Sequence, residues 1–130
     1  MTILEQRLFD LLELLVKYNT ESPPGRNTNP LQDDIQRLLE DLGFTIQREV
    51  LYPNDSIIVA TLKGEDPTAP KLILNGHVDV ASVDDDREWN YPPFELTHVN
   101  DWLYGRGVSD MKGGMAALFY VLERRSEERR

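Results

Sequence analysis

The run Lys71-Leu72-Ile73-Leu74-Asn75 is apolar without alternation, and it leads straight into Gly76-His77-Val78-Asp79. A strand with one wet face alternates polar and apolar residues, whereas a continuous apolar run suits a strand covered on both faces. Such a strand needs helices to cover it, and the rest of the chain supplies them. Leu4, Leu8, Leu11, Leu12, Leu15 and Val16 recur at the three-to-four spacing of one helical face, predicting a helix over 3–17. Leu31, Ile35, Leu38, Leu39 and Leu42 predict a second helix, with Asn29 as its cap, Pro30 at its first position and Gln32 completing a capping box. Gly43 is placed to end it in a left-handed conformation.

Strand signals follow over 44–51 and 56–62, joined by the turn Pro53-Asn54-Asp55. Residues 64–70 read as a polar connection and 80–101 as a long irregular excursion. Trp102-Leu103-Tyr104 reads as a short strand; Trp89, Tyr91, Trp102 and Tyr104 could line a pocket, with core packing the more economical reading for Trp102 and Tyr104. A last helix is expected over 113–123, turning Met115, Leu118, Phe119 and Leu122 inward. This order predicts an α/β fold, helices packed on a mixed sheet, in a single unit without internal repeats.

The chain has no cysteine, which excludes disulfides and thiolate metal sites; any metal would be held by imidazole and carboxylate. With 23 acidic against 14 basic residues the formal charge is −9, which argues against a nucleic-acid surface and against binding to anionic lipid. No apolar run is long enough to span a membrane, and the first residues lack a secretory signal, so a cytoplasmic location is expected.

Two segments carry chemistry. His77 and Asp79 are two apart, so in extended backbone they point the same way. One could bind a metal while the other orients the imidazole through its second nitrogen; a simple polar pair is the alternative. The second segment is Tyr104-Gly105-Arg106-Gly107-Val108-Ser109-Asp110-Met111-Lys112-Gly113-Gly114-Met115. Asp110 lies just before the last helix, where a cap and a metal ligand are both open, and spacing alone favours the cap. The glycines match neither GxxxxGK[ST] nor GxGxxG in its strand-turn-helix setting, so nucleotide binding has little support. Asp84-Asp85-Asp86 reads as a solvated loop and His98 as a surface histidine.

Taken together, Thr20-Glu21-Ser22-Pro23-Pro24-Gly25, Gly76-His77-Val78-Asp79-Val80, Trp89, Pro93-Phe94 and Leu103 through Gly114 resemble the M20 metallopeptidase family. That family includes acetylornithine deacetylase, succinyl-diaminopimelate desuccinylase, aminoacylase and carboxypeptidase G2-like enzymes. The resemblance covers about 1–122, so that 1–130 would be a single partial catalytic domain with a polar tail over 123–130. It implies zinc-dependent hydrolysis of a linear amide bond in a small N-acyl amino acid or short peptide. It implies His77 as a zinc ligand, Asp110 as the carboxylate bridging two zincs, and Asp79 as the acid that holds the histidine. Cobalt would be able to replace zinc, and the Asp110–Met111 peptide bond would be cis.

The resemblance further implies a general-base glutamate, more metal ligands and a dimerisation domain in segments after the last helix, which are not among these 130 residues. The polar ending suits a truncation or a frameshift. Two readings follow. The chain is part of an amide hydrolase, or it is a non-catalytic α/β domain that binds one metal weakly or none and serves at most in interaction; the general base separates them. An incomplete sheet exposes an edge and apolar faces, so self-association is expected.

Overall fold

A computed structural model describes residues 1–23 and 25–128. Pro24 of the expected loop, and Arg129 and Arg130 of the tail, lie outside the described residues. The chain runs α1 (Ile3–Val16), α2 (Asn29–Asp41), β1 (Thr45–Tyr52), β2 (Asp55–Thr61), β3 (Thr97–Val99), β4 (Trp102–Tyr104) and α3 (Gly113–Glu128). The α/β class is as expected. Strand pairing is mixed but sparse: β1 pairs antiparallel with β2, β3 antiparallel with β4, and a single parallel bridge joins Glu21 to Val80.

The core is where the three helices meet. Leu11, Leu12, Leu15 and Val16 of α1, Leu31, Ile35 and Leu39 of α2, and Met115, Ala116 and Phe119 of α3 are buried together with Val78. Thr2 caps α1 in a reciprocal box with Glu5, its hydroxyl accepting from Glu5 N–H at 3.1 Å while the Glu5 carboxylate accepts from Thr2 N–H at 2.7 Å. Arg7 of α1 forms a two-pronged ion pair with Glu123, tying α1 to α3.

The second helix starts differently from expectation. Its cap is Thr28, whose side chain makes no capping bond. The Thr28 hydroxyl instead meets the Asp55 carboxylate at 2.6 Å, and Gln32 donates to the Ser56 carbonyl at 2.8 Å. Tertiary partners on β2 thus take the groups that a local capping box would have used. Arg48 of β1 completes this join, reaching Asp33 and Gln36 on α2 and Ser56 on β2. At the far end Gly43 has φ +92°, the left-handed terminator anticipated.

Lys71–Asn75 forms no strand, a correction to the reading as a doubly covered one. Leu72 and Ile73 are 82% and 86% exposed. A strand exists only where neighbouring strands satisfy its N–H and C=O groups, and no strand of the described residues pairs with this run. Trp102 and Tyr104 are likewise corrected: they lie 70% and 38% exposed on a two-stranded ribbon, with the Tyr91 ring 4.7 Å from that of Tyr104. The excursion over 80–101 ends inside that ribbon, since Thr97–Val99 forms β3. Finally, α3 extends beyond 123 to Glu128, its polar end carried by Arg124–Glu127 and Arg125–Glu128 pairs one turn apart.

Candidate metal corner

Residues 77–80 and the turn Val108–Lys112 lie side by side. The first segment is held by the strap between α1 and α2. Val80 donates to the Thr20 carbonyl at 3.1 Å, Ser22 N–H donates to the Val80 carbonyl at 3.0 Å, and the Thr20 hydroxyl donates to the Val78 carbonyl at 2.6 Å. Val78 and Val80 point into the core, 7% and 2% exposed. Strand alternation therefore turns His77 and Asp79 to the outside.

The second segment begins at Gly107, whose φ of +84° reverses the chain. Asp110 and Met111 then leave helical geometry, with φ near −130° at both, before α3 starts at Gly113. The Asp110–Met111 peptide bond is cis. The segments touch directly, because the His77 N–H lies 3.4 Å from the Met111 sulfur.

Three side chains converge. His77 Nδ1 lies 3.2 Å from an Asp79 carboxylate oxygen and 3.1 Å from the Asp79 carbonyl. His77 Nε2 lies 3.1 Å from Asp110 Oδ1. With Nδ1 as the donor toward Asp79, the Nε2 lone pair is left facing Asp110. All three side chains are open to solvent, Asp110 most of all at 87%. Metal–ligand bonds of 2.0–2.2 Å in a tetrahedron set neighbouring ligand atoms about 3.3–3.6 Å apart. The Nε2–Oδ1 separation is close to that edge. The donor set therefore fits one edge of a zinc site, with the imidazole already oriented from behind. No cluster of three or more possible ligands occurs among the described residues.

The other acidic residues do not join this corner. Glu21 and Asp84–Asp86 border a cavity of about 480 Å³ whose lining includes neither His77 nor Asp110. The Glu21 carboxylate accepts from Val83 N–H at 2.7 Å, and Asp85 is engaged by Arg87, which holds its carboxyl below the usual range. His98 is exposed and lies beside the Phe9 ring.

Sequence reasoning missed Lys112 and Thr20, both fully buried. Lys112 extends its side chain inward, and Nζ donates to the Tyr18 carbonyl at 3.0 Å where α1 ends. Burial pushes its ammonium down to about 8. A signal was present: Lys112, Met115, Ala116 and Phe119 sit at the spacing of one helical face, so a lysine stands one position before α3 in line with its apolar stripe.

Residues 73–130 match the family model described as peptidase family M20/M25/M40. Over 120 residues the chain is 44% identical to the N-formyl-4-amino-5-aminomethyl-2-methylpyrimidine deformylase of Bacillus subtilis, covering 92% of this chain and 28% of that protein. The chain belongs to the M20 peptidase family. A probable succinyl-diaminopimelate desuccinylase of Staphylococcus aureus is 38% identical over 125 residues, covering 93% of this chain and 28% of the relative. The fold matches human carnosine dipeptidase 1 with a TM-score of 0.84 at 25% identity, over 97% of this chain and 29% of that one. The M20 chain described here thus spans under a third of the length of these relatives. None of its described helices is long and apolar enough to cross a membrane.

Proposed function

We propose that the protein to which these residues belong hydrolyses a linear amide bond in a small N-acyl compound with the help of zinc, and that this chain supplies one corner of the metal centre. The observation that carries the reading is the His77 imidazole, held at Nδ1 by Asp79 and facing Asp110 at 3.1 Å through Nε2. His77 and Asp110 would hold the metal. Asp79 would fix the tautomer and the orientation of the ring, as a carboxylate behind a ligating histidine does. Bound zinc would lower the pKa of a water and polarise the amide carbonyl. The remaining ligands and the group that moves the water's proton would come from outside these 130 residues. By themselves these residues would bind zinc weakly and would not turn over substrate.

For the substrate, the identity to the formylpyrimidine deformylases makes removal of a formyl group from an aminomethyl-pyrimidine the first reading. Release of a succinyl or acetyl group from an amino acid is the second, supported by the desuccinylase relatives. The test is hydrolysis by the full-length protein of the N-formyl aminopyrimidine, N-succinyl-diaminopimelate, N-acetylornithine and a dipeptide, followed by amine release. Zinc-dependent turnover of one acyl substrate, abolished by His77→Ala, is expected. Turnover that survives both chelation and His77→Ala would refute the proposal.

A further inference from the structure

We propose that Thr20 and Lys112 are the positioning residues of this corner, and that the strap Tyr18–Ser22 sets the distance between its two halves. The inference rests on the reading of His77 and Asp110 given above.

His77 and Asp110 come from segments far apart in sequence, and both side chains stand in solvent, so neither is located by its own packing. What locates them lies behind. Two residues of the strap, Tyr18 and Thr20, between them reach both segments. The Tyr18 carbonyl accepts from Lys112 Nζ, two residues after Asp110, at 3.0 Å. The Thr20 hydroxyl and carbonyl hold Val78 and Val80, which flank Asp79 and follow His77, at 2.6 and 3.1 Å. The strap is itself anchored, because the Tyr18 hydroxyl bonds the Asp34 carboxylate on α2. One short stretch of backbone therefore ties the histidine segment and the aspartate turn to the same point of the core.

The choice of lysine argues against simple packing. A fully buried ammonium is costly to desolvate, and Lys112 has no carboxylate within ion-pair distance among the described residues. Its stripe neighbours Met115, Ala116 and Phe119 are apolar, and a methionine of similar length would fill the same space. The group that methionine lacks is the donor to Tyr18, and that donor is what fixes the aspartate turn. Thr20 is parallel: valine has its shape, but only the hydroxyl bonds the Val78 carbonyl.

Two isosteric variants of the full 130-residue chain test the proposal, Lys112→Met and Thr20→Val, with Thr20→Ser as the conservative rescue. Each is read for urea stability, for the metal-free NMR signals of the His77 ring nitrogens and the Asp110 amide, and for zinc affinity. Lys112→Met is expected to match or exceed the parent in stability, since a buried charge is replaced by an apolar group. At the same time its Asp110 signals should broaden and its zinc affinity should fall about tenfold, the scale of losing a group that orients a ligand. Thr20→Val should displace the His77 ring signals and lower zinc affinity, and Thr20→Ser should restore both. Unchanged site signals and affinity in both variants would overturn the proposal. So would a fall in affinity that only tracks a fall in stability, which would make the two residues structural and no more. If His77→Ala leaves zinc binding untouched, the metal reading fails; the metal-free signals then still decide whether Thr20 and Lys112 position the two segments.

Discussion

Replacing Gly107 by alanine should damage the protein more than any other glycine-to-alanine change at a left-handed position, and the structure says by how much. Gly107 has φ +84°, and a β-carbon built there would lie 2.5 Å from a Val80 methyl, inside contact distance. Gly43 has φ +92°, but a β-carbon there meets nothing within 4 Å. The left-handed conformation costs an L-residue about 1–2 kcal/mol, and the stiffer unfolded chain returns about 0.4–1 kcal/mol. Gly43→Ala should therefore cost about 1 kcal/mol. Gly107→Ala adds the overpacking against Val80, about 1–3 kcal/mol more, because Val80 is buried and hydrogen-bonded to the strap on both sides. The expected total is about 2–4 kcal/mol. Equilibrium urea denaturation of parent and both variants, followed by far-ultraviolet circular dichroism, measures the difference at constant m-value. Equal losses in the two variants would refute the steric argument and with it the close packing of the turn against residues 78–80.

Other expectations follow from the same contacts. Arg48→Lys keeps the charge but not the fork that reaches Asp33 and Ser56, so it should cost about 1–3 kcal/mol in urea denaturation. Glu5 is held below the usual carboxylate range by its hydrogen bonds with Thr2. A lowered folded pKa contributes stability above the unfolded value and loses it as pH falls through the folded one. The bond that lowers it most comes from the Thr2 backbone N–H, so the acid limb of a stability–pH curve should flatten in Glu5→Gln, which removes the titrating carboxylate. Ile73→Lys, at an exposed site, should change stability by less than about 0.5 kcal/mol while lowering any self-association seen by light scattering; unchanged association would remove the 71–75 run as its cause.

Local rules located most of what the helices do. The spacing of leucines found both early helices, Gly43 ended the second as its position suggested, and Pro53-Asn54 made the β1–β2 turn. Rules of the same kind failed where long-range partners decide the outcome. Gln32 and Thr28 have the chemistry of a local cap but bond to β2 instead, and nothing near them in sequence announces Ser56 or Asp55. Lys71–Asn75 has the composition of an inner strand but is left without a neighbour to pair with, so composition alone could not make it one. In the site, the motif around His77 and the glycine-rich motif around Asp110 were legible as two separate segments. Their approach was not, because it depends on the strap. Lys112 was hidden for a further reason: a lysine on an apolar stripe reads as the end of the stripe until its donor is seen to reach Tyr18.

The central claim is that His77 and Asp110 form one edge of a zinc site with Asp79 behind it. The most direct measurement is a zinc titration of the ¹⁵N-labelled 130-residue chain, watching the His77 ring nitrogens, with Asp79→Ala and Asp110→Ala alongside. Zinc is expected to move the Nε2 signal and to leave Nδ1 protonated toward Asp79, and Asp110→Ala is expected to weaken the response. Asp79→Ala should lower affinity about 10–100-fold. An Nε2 signal that zinc does not move, or a response indifferent to Asp110, would contradict the claim.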